Sequence, residues 1–138
     1  MRAWLEFHDS TLVAVRQVGS VVEIALDGYV HRWDRIDGGW RGTGWTQPVR
    51  VAVYGAARSP SAMASPTEIT TGCVMVGSIV HENLVPLPLK LVGLAELRLE
   101  LDHGAVLELR DDQIEIATTG EGRLIEDLPD DMLPAELA

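Results

Sequence analysis

Each of the four histidines in this chain stands beside or near a carboxylate: His8-Asp9, His31 with Asp34, His81-Glu82 and Asp102-His103. An imidazole next to a carboxylate can bind a divalent metal or poise a general base. His8, His31 and Asp34 are the residues such a metal would use. The spacings match no metal motif, and neighbours on a regular strand point to opposite faces, which would keep His8 and Asp9 out of one pocket. His103 fits a hairpin turn with no ligand role. His8-Asp9-Ser10 also has the residue types of a hydrolytic triad, but a triad is assembled from distant positions. The alternative is a turn in which Asp9 and Ser10 bond local backbone and start a strand at Thr11. Cys73 is the only cysteine, which excludes an internal disulfide and leaves a thiolate zinc site without partners. The apolar run Cys73-Val74-Met75-Val76 predicts a buried core thiol rather than a nucleophile.

Trp33, Trp40 and Trp45 fall close together, joined by glycines and by Arg32, Arg35 and Arg41. Indole and guanidinium together suit anionic or planar ligands through stacking and bidentate hydrogen bonds. The segment from His31 to Trp45 is therefore the expected contact surface, with His31, Trp33, Arg35, Trp40, Arg41 and Trp45 as its residues. In the competing reading the indoles fold back and plug an open end of a sheet.

Composition bounds what these residues can serve. The chain has 138 residues, 46% hydrophobic and 23% charged, enough for one domain with a real core. Its 21 acidic and 11 basic residues give a formal charge of −10. That argues against nucleic acid, whose binding rests on Lys and Arg, and against an anionic membrane surface. A basic protein partner is compatible with it. The N-terminal residues carry no uninterrupted apolar stretch of signal-peptide type, and no segment has the length of a membrane helix, so a cytoplasmic location is expected. No cofactor motif occurs, and no cofactor is expected.

The elements that must position these residues are strands. Thr11–Val18 and Ser20–Leu26 read as a hairpin turning at Gly19-Ser20. Val49, Val51 and Val53 alternate with Arg50 and Ala52, and residues 68–80 form a longer β-prone run bent at Gly72 and Gly77. Leu97, Leu99 and Leu101 alternate with charges, as do Leu107 and Leu109. A loop at Asp102–Gly104 sets Leu99 opposite Leu107 and Leu97 opposite Leu109, and in the same register Arg98 opposite Glu108 and Glu96 opposite Arg110. A second turn at Asp111-Asp112 would complete a three-stranded meander. Ile36–Gly44 and Gly55–Pro66 read as loops, and Pro86 and Pro88 exclude a central strand. The expected architecture is all-β, an antiparallel β-sandwich or flattened barrel with little helix. Residues 1–128 form the domain and 129–138 an acidic, proline-containing tail. An exposed strand edge makes a homodimer an expectation as well.

The opening Phe7-His8-Asp9-Ser10-Thr11-Leu12, followed by Val22–Leu26, resembles small bacterial β-proteins with an aromatic-His-Asp-Ser segment, some of them classed as immunity proteins. The alternating C-terminal hairpins and the acidic tail are similar to theirs too. The resemblance implies a binding protein and supplies no catalytic residues. Two functions are therefore expected: a non-enzymatic interaction module for a basic protein partner, or a metal- or small-ligand-binding barrel using His and carboxylate residues.

Overall fold

The computed structural model describes residues 1–55 and 66–138. Nine strands follow in order: β1 (Arg2–Val18), β2 (Val21–Ile36), β3 (Gly39–Tyr54), β4 (Thr67–Val76), β5 (Ile79–Glu82), β6 (Leu84–Leu87), β7 (Leu89–Leu101), β8 (Val106–Thr118) and β9 (Arg123–Leu128). Two single 3-10 turns, Asp130–Met132 and Ala135–Leu137, follow β9. The fold is all-β, as expected, and it is a closed barrel. β1, β2, β3, β8, β7 and β4 are neighbours in that order, and β4 pairs back onto β1 at Thr11↔Glu68 and Leu12↔Thr67. All these pairings are antiparallel. Closure removes the sheet edges that an open arrangement of these six strands would expose.

Alternation fills the barrel. Val22, Ile24 and Leu26 of β2, Val49, Val51 and Val53 of β3, Leu97, Leu99 and Leu101 of β7 and Ile114 and Ile116 of β8 are all buried in one cluster. The turn at Gly19-Ser20 forms as expected, with Val18 opposite Val21 and Gly19 at φ +61°. The β7–β8 register is also the expected one: Leu97↔Leu109, Leu99↔Leu107, Arg98↔Glu108 and Glu96↔Arg110. Arg98 pairs with Glu108, and Arg110 reaches Glu96 at 3.4 Å. Gly104 takes φ +88° and donates its N–H to the Leu101 carbonyl at 3.0 Å, closing the loop.

The second turn of the meander does not form. Asp111 and Asp112 lie inside β8, which continues to Thr118. The flank that a third strand would need is already filled by the start of β7, with Leu89↔Ile116 and Leu91↔Ile114. A register shift at Gly93-Leu94 carries this pairing past Asp112. On its other side the same half of β8 pairs with β3, Val49↔Thr118 through Tyr54↔Gln113. Pro86 lies in β6, which pairs with β1 at the end of the strand order, so no central strand is needed there. Most of Gly55–Pro66, expected as a loop, lies outside the described residues.

Two strands change partners along their length. Ala3–Glu6 of β1 pairs with β6, and Gly42–Thr46 of β3 pairs with β9. A five-stranded sheet, β6-β1-β2-β3-β9, thus continues from the barrel wall. Leu5, Val30 and Val85 on one of its faces complete the barrel core. The other face carries a second, smaller core of Trp4, Trp33 and Leu128. Trp40, Leu84 and, from the tail, Leu133 and Leu137 pack against it. No helix among the described residues is long and apolar enough to cross a membrane.

Candidate functional site

The segment from His31 to Trp45 is a hairpin, and Ile36–Gly44, expected as a loop, is strand except for its turn. β2 and β3 pair without interruption from Val21↔Tyr54 to Ile36↔Gly39, leaving Asp37-Gly38 as the turn. Both turn residues have positive φ, 51° and 79°, the conformation of a tight two-residue hairpin. The glycines that suggested a loop serve another purpose. A Cβ on Gly42 would lie 2.6 Å from the Trp33 ring, and one on Gly44 would meet the Tyr29 hydroxyl. These glycines are seats for aromatic rings crossing from the neighbouring strand. The same relation recurs on β4, where Gly72 is the seat of Phe7.

The hairpin distributes the aromatic and basic residues over two faces. Trp33 is fully buried and acts as the plug. Trp40 shares its face, is partly buried against the second core, and lies under Arg35 at 5.6 Å. Arg2 lies over Trp4 at 5.5 Å. Trp45 is on the opposite face, where Arg32 stacks on its ring at 3.9 Å and donates to Gln47 Oε1 at 2.8 Å. Gln47 in turn donates to the Gly120 carbonyl at 2.7 Å. Arg41 is exposed and lies 3.4 Å from Asp127. The expected contact residues are therefore not one patch: Arg35 and Trp40 remain together, and Arg41 belongs with β9.

His31 is buried, and neither ring nitrogen has a hydrogen-bond partner. Its nearest carboxylate is Glu6 Oε1, 3.6 Å from Nε2. Tyr29 meets the imidazole edge-on at 5.2 Å and donates its hydroxyl to Glu126 at 2.8 Å. Burial raises the Tyr29 pKa, and the bond to Glu126 raises it further. The residues expected to share a metal are kept apart. His8 is exposed and bonds through Nδ1 to the Thr70 carbonyl at 2.9 Å. Asp34 stands an odd number of residues along β2 from His31 and so points to the other face. Among the described residues no three His, Cys, Asp or Glu side chains gather as a metal would need.

Phe7–Ser10 forms a bulge, and this is where the triad reading ends. The register passes from Glu6↔Tyr29 to Thr11↔Asp27, so four residues of β1 oppose Gly28 alone. Asp9 takes φ 73° within it. Ser10 is buried; its hydroxyl donates to the Glu6 carbonyl at 2.5 Å and accepts from the Tyr29 N–H at 2.9 Å. It replaces backbone partners that the bulge removes, the local backbone bonding the turn alternative expects of Ser10, but the strand does not start at Thr11: β1 runs through the bulge from Arg2. Asn83 holds the bulge from outside. Its carbonyl accepts from Phe7 N–H and its side-chain oxygen from His8 N–H, both at 2.7 Å.

Cys73 is not a core residue. The neighbouring Val74 takes the inward position, and Cys73 points outward, half-buried between Glu82 and Arg98. Burial first, then Glu82 and Glu96, raise its pKa, which keeps it a thiol rather than a reactive thiolate. The groove it lines with Asn83, Arg98 and Glu100 offers no free cation, since Arg98 is held by Glu100 and Glu108.

The feature that sequence reasoning missed is β9. The acids and prolines from Leu124 onward have the composition of a tail, yet the pairing of β9 with β3 gives it the outer place beside the hairpin. Leu128 sinks into the second core while the other five residues of the strand are exposed. Residues 121–138 hold six acidic residues against Arg123, a net of −5 out of the chain's −10. Asp127 pairs with Arg41 and Glu126 with Tyr29, but among the described residues no cation pairs with Glu121, Asp130, Asp131 or Glu136. A signal was present in the clustering of acids after Gly120. No protein-family model matches the chain, and no curated protein or solved structure matches it either.

Proposed function

We propose that this protein is a non-enzymatic interaction module for a basic protein partner. One observation carries the reading: half of the net negative charge lies in residues 121–138, on β9 and the tail, exposed and largely free of cations, beside a sheet packed on the Trp4–Trp33–Leu128 core. Unneutralised charge held on a folded frame steers an oppositely charged partner and fixes its register. Arg35 and Trp40 at the hairpin tip supply an aromatic anchor of the type interfaces favour. Inhibition of a basic toxin in the manner of immunity proteins is the concrete form of this function, on the strength of the Phe7–Leu12 resemblance.

The test is affinity capture from cells of the source, run in parallel with the native chain and a Glu121→Gln/Asp130→Asn/Asp131→Asn/Glu136→Gln variant. A stoichiometric basic protein, held by the native chain and lost by the variant, is the expected result. Equal capture by both chains would refute the reading.

A second reading has its own observation. The buried, unpartnered imidazole of His31 beside Glu6 is an arrangement that small-ligand and cation sites use. Metal analysis of the purified chain and of His31→Ala distinguishes it: stoichiometric metal lost in the variant would favour this reading over the first.

A further inference from the structure

β9 is an edge. It pairs with β3 along one side, and among the described residues no strand pairs with the other. Such an edge presents a row of unpaired backbone donors and acceptors, which proteins ordinarily blunt with charged side chains, prolines, bulges or a covering element; the charges and the bulge of β9 disfavour a like-charged strand and leave the edge open to a basic one. β9 has no lysine and no proline; a single register shift at Ile125 interrupts it. Two of its apolar side chains, Leu124 and Ile125, are 53% and 45% exposed. Around it stand Glu121, Asp127, Asp130 and Asp131, all exposed.

We infer that the free edge of β9 receives an extended, basic strand of the partner by β-augmentation. The inference rests on the interaction-module reading and names its mode. In this mode backbone pairing supplies affinity, and alternate side chains supply specificity. Apolar positions of the incoming strand meet Leu124 and Ile125, while its Lys or Arg positions meet the acids beside β9. Charge selects this occupant over a second copy of the chain. Two copies joined edge to edge would each bring a net of −5 in residues 121–138, and like charges directly opposed across strands destabilise the pairing.

The full chain is titrated with a short synthetic peptide alternating Lys and Val, and with two controls: Glu in place of Lys, and a central proline in the basic sequence. The readouts are amide NMR shifts and hydrogen exchange. The basic peptide is expected to shift and protect the Arg123–Leu128 amides. It should weaken at least about tenfold in high salt and in the Glu121→Gln/Asp130→Asn/Asp131→Asn/Glu136→Gln variant. The acidic and proline peptides are expected not to protect β9. Protection of β9 by the proline peptide, or basic-peptide shifts confined to other strands, overturns the edge while leaving the module reading standing if capture has succeeded. A dimer in sedimentation with β9 protected in the free chain overturns it in favour of self-association. Absence of binding by any peptide overturns it as well. Failed capture with peptide protection intact instead strikes the module reading alone.

Discussion

Gly42 lies directly opposite Trp33 across the β2–β3 hairpin, and the Trp33 ring occupies the space that a side chain at position 42 would take. The pair explains why a glycine-rich stretch is strand. It also fixes the plane of the sheet that carries β9, since Gly42 pairs with Leu128 on its other side. Gly42→Ala should cost about 1–3 kcal/mol by overpacking a filled site. Gly38→Asn, in a turn position that asparagine tolerates, should cost much less. Urea denaturation of the two variants measures the difference.

Ser10→Ala removes a hydroxyl that joins the Glu6 carbonyl to the Tyr29 N–H. Two backbone groups lose their partner in a part-buried bulge, and the expected loss is about 1–3 kcal/mol. Equilibrium unfolding checks it; a neutral substitution would show that water replaces the hydroxyl without cost.

Core leucines and exposed ones should separate cleanly. Leu99 is fully buried, and Leu99→Ala is expected to cost about 2–5 kcal/mol. Leu94 is 75% exposed at the β7 bulge, and Leu94→Ala should stay within about 0.5 kcal/mol of the native chain. A large effect at Leu94 would place that residue in an interface.

These results also mark how far the sequence can be read. The β7–β8 register was legible because two independent patterns, leucine alternation and Arg/Glu complementarity, agree in only one alignment. Asp111-Asp112 reads as a turn because local turn propensity is the same whether or not a neighbour already fills the pairing edge, and here Leu89–Val92 fills it. Ile36–Gly44 reads as a loop because glycine in a loop and glycine beneath an aromatic ring look alike until the opposite strand is known. Trp4 and Glu6 are invisible for the same reason: they reach His31 and Tyr29 only through cross-strand pairing. β9 was hidden because a short strand next to prolines and acids has the composition of a tail.

His8 gives a pH-dependent test of the bulge. Its pKa is raised from 6.5, first by the hydrogen bond to the Thr70 carbonyl and then by Asp9. A raised folded-state value means stability that is fully present below the unfolded value and lost as pH rises through the folded one. The side chain is exposed, so screening keeps the effect small. NMR titration should find His8 titrating above 6.5 in the native chain and lower in Asp9→Asn. A value below 6.5 would mean that the Thr70 contact is absent in solution.

Calorimetric titration of the captured partner tests the central claim most directly, using the native chain and the Glu121→Gln/Asp130→Asn/Asp131→Asn/Glu136→Gln variant at low and high salt. Recognition through β9 and the tail predicts a saturable complex with the native chain, weakened by salt and at least about tenfold weaker for the variant. Equal affinity of both chains at both salt concentrations would contradict it.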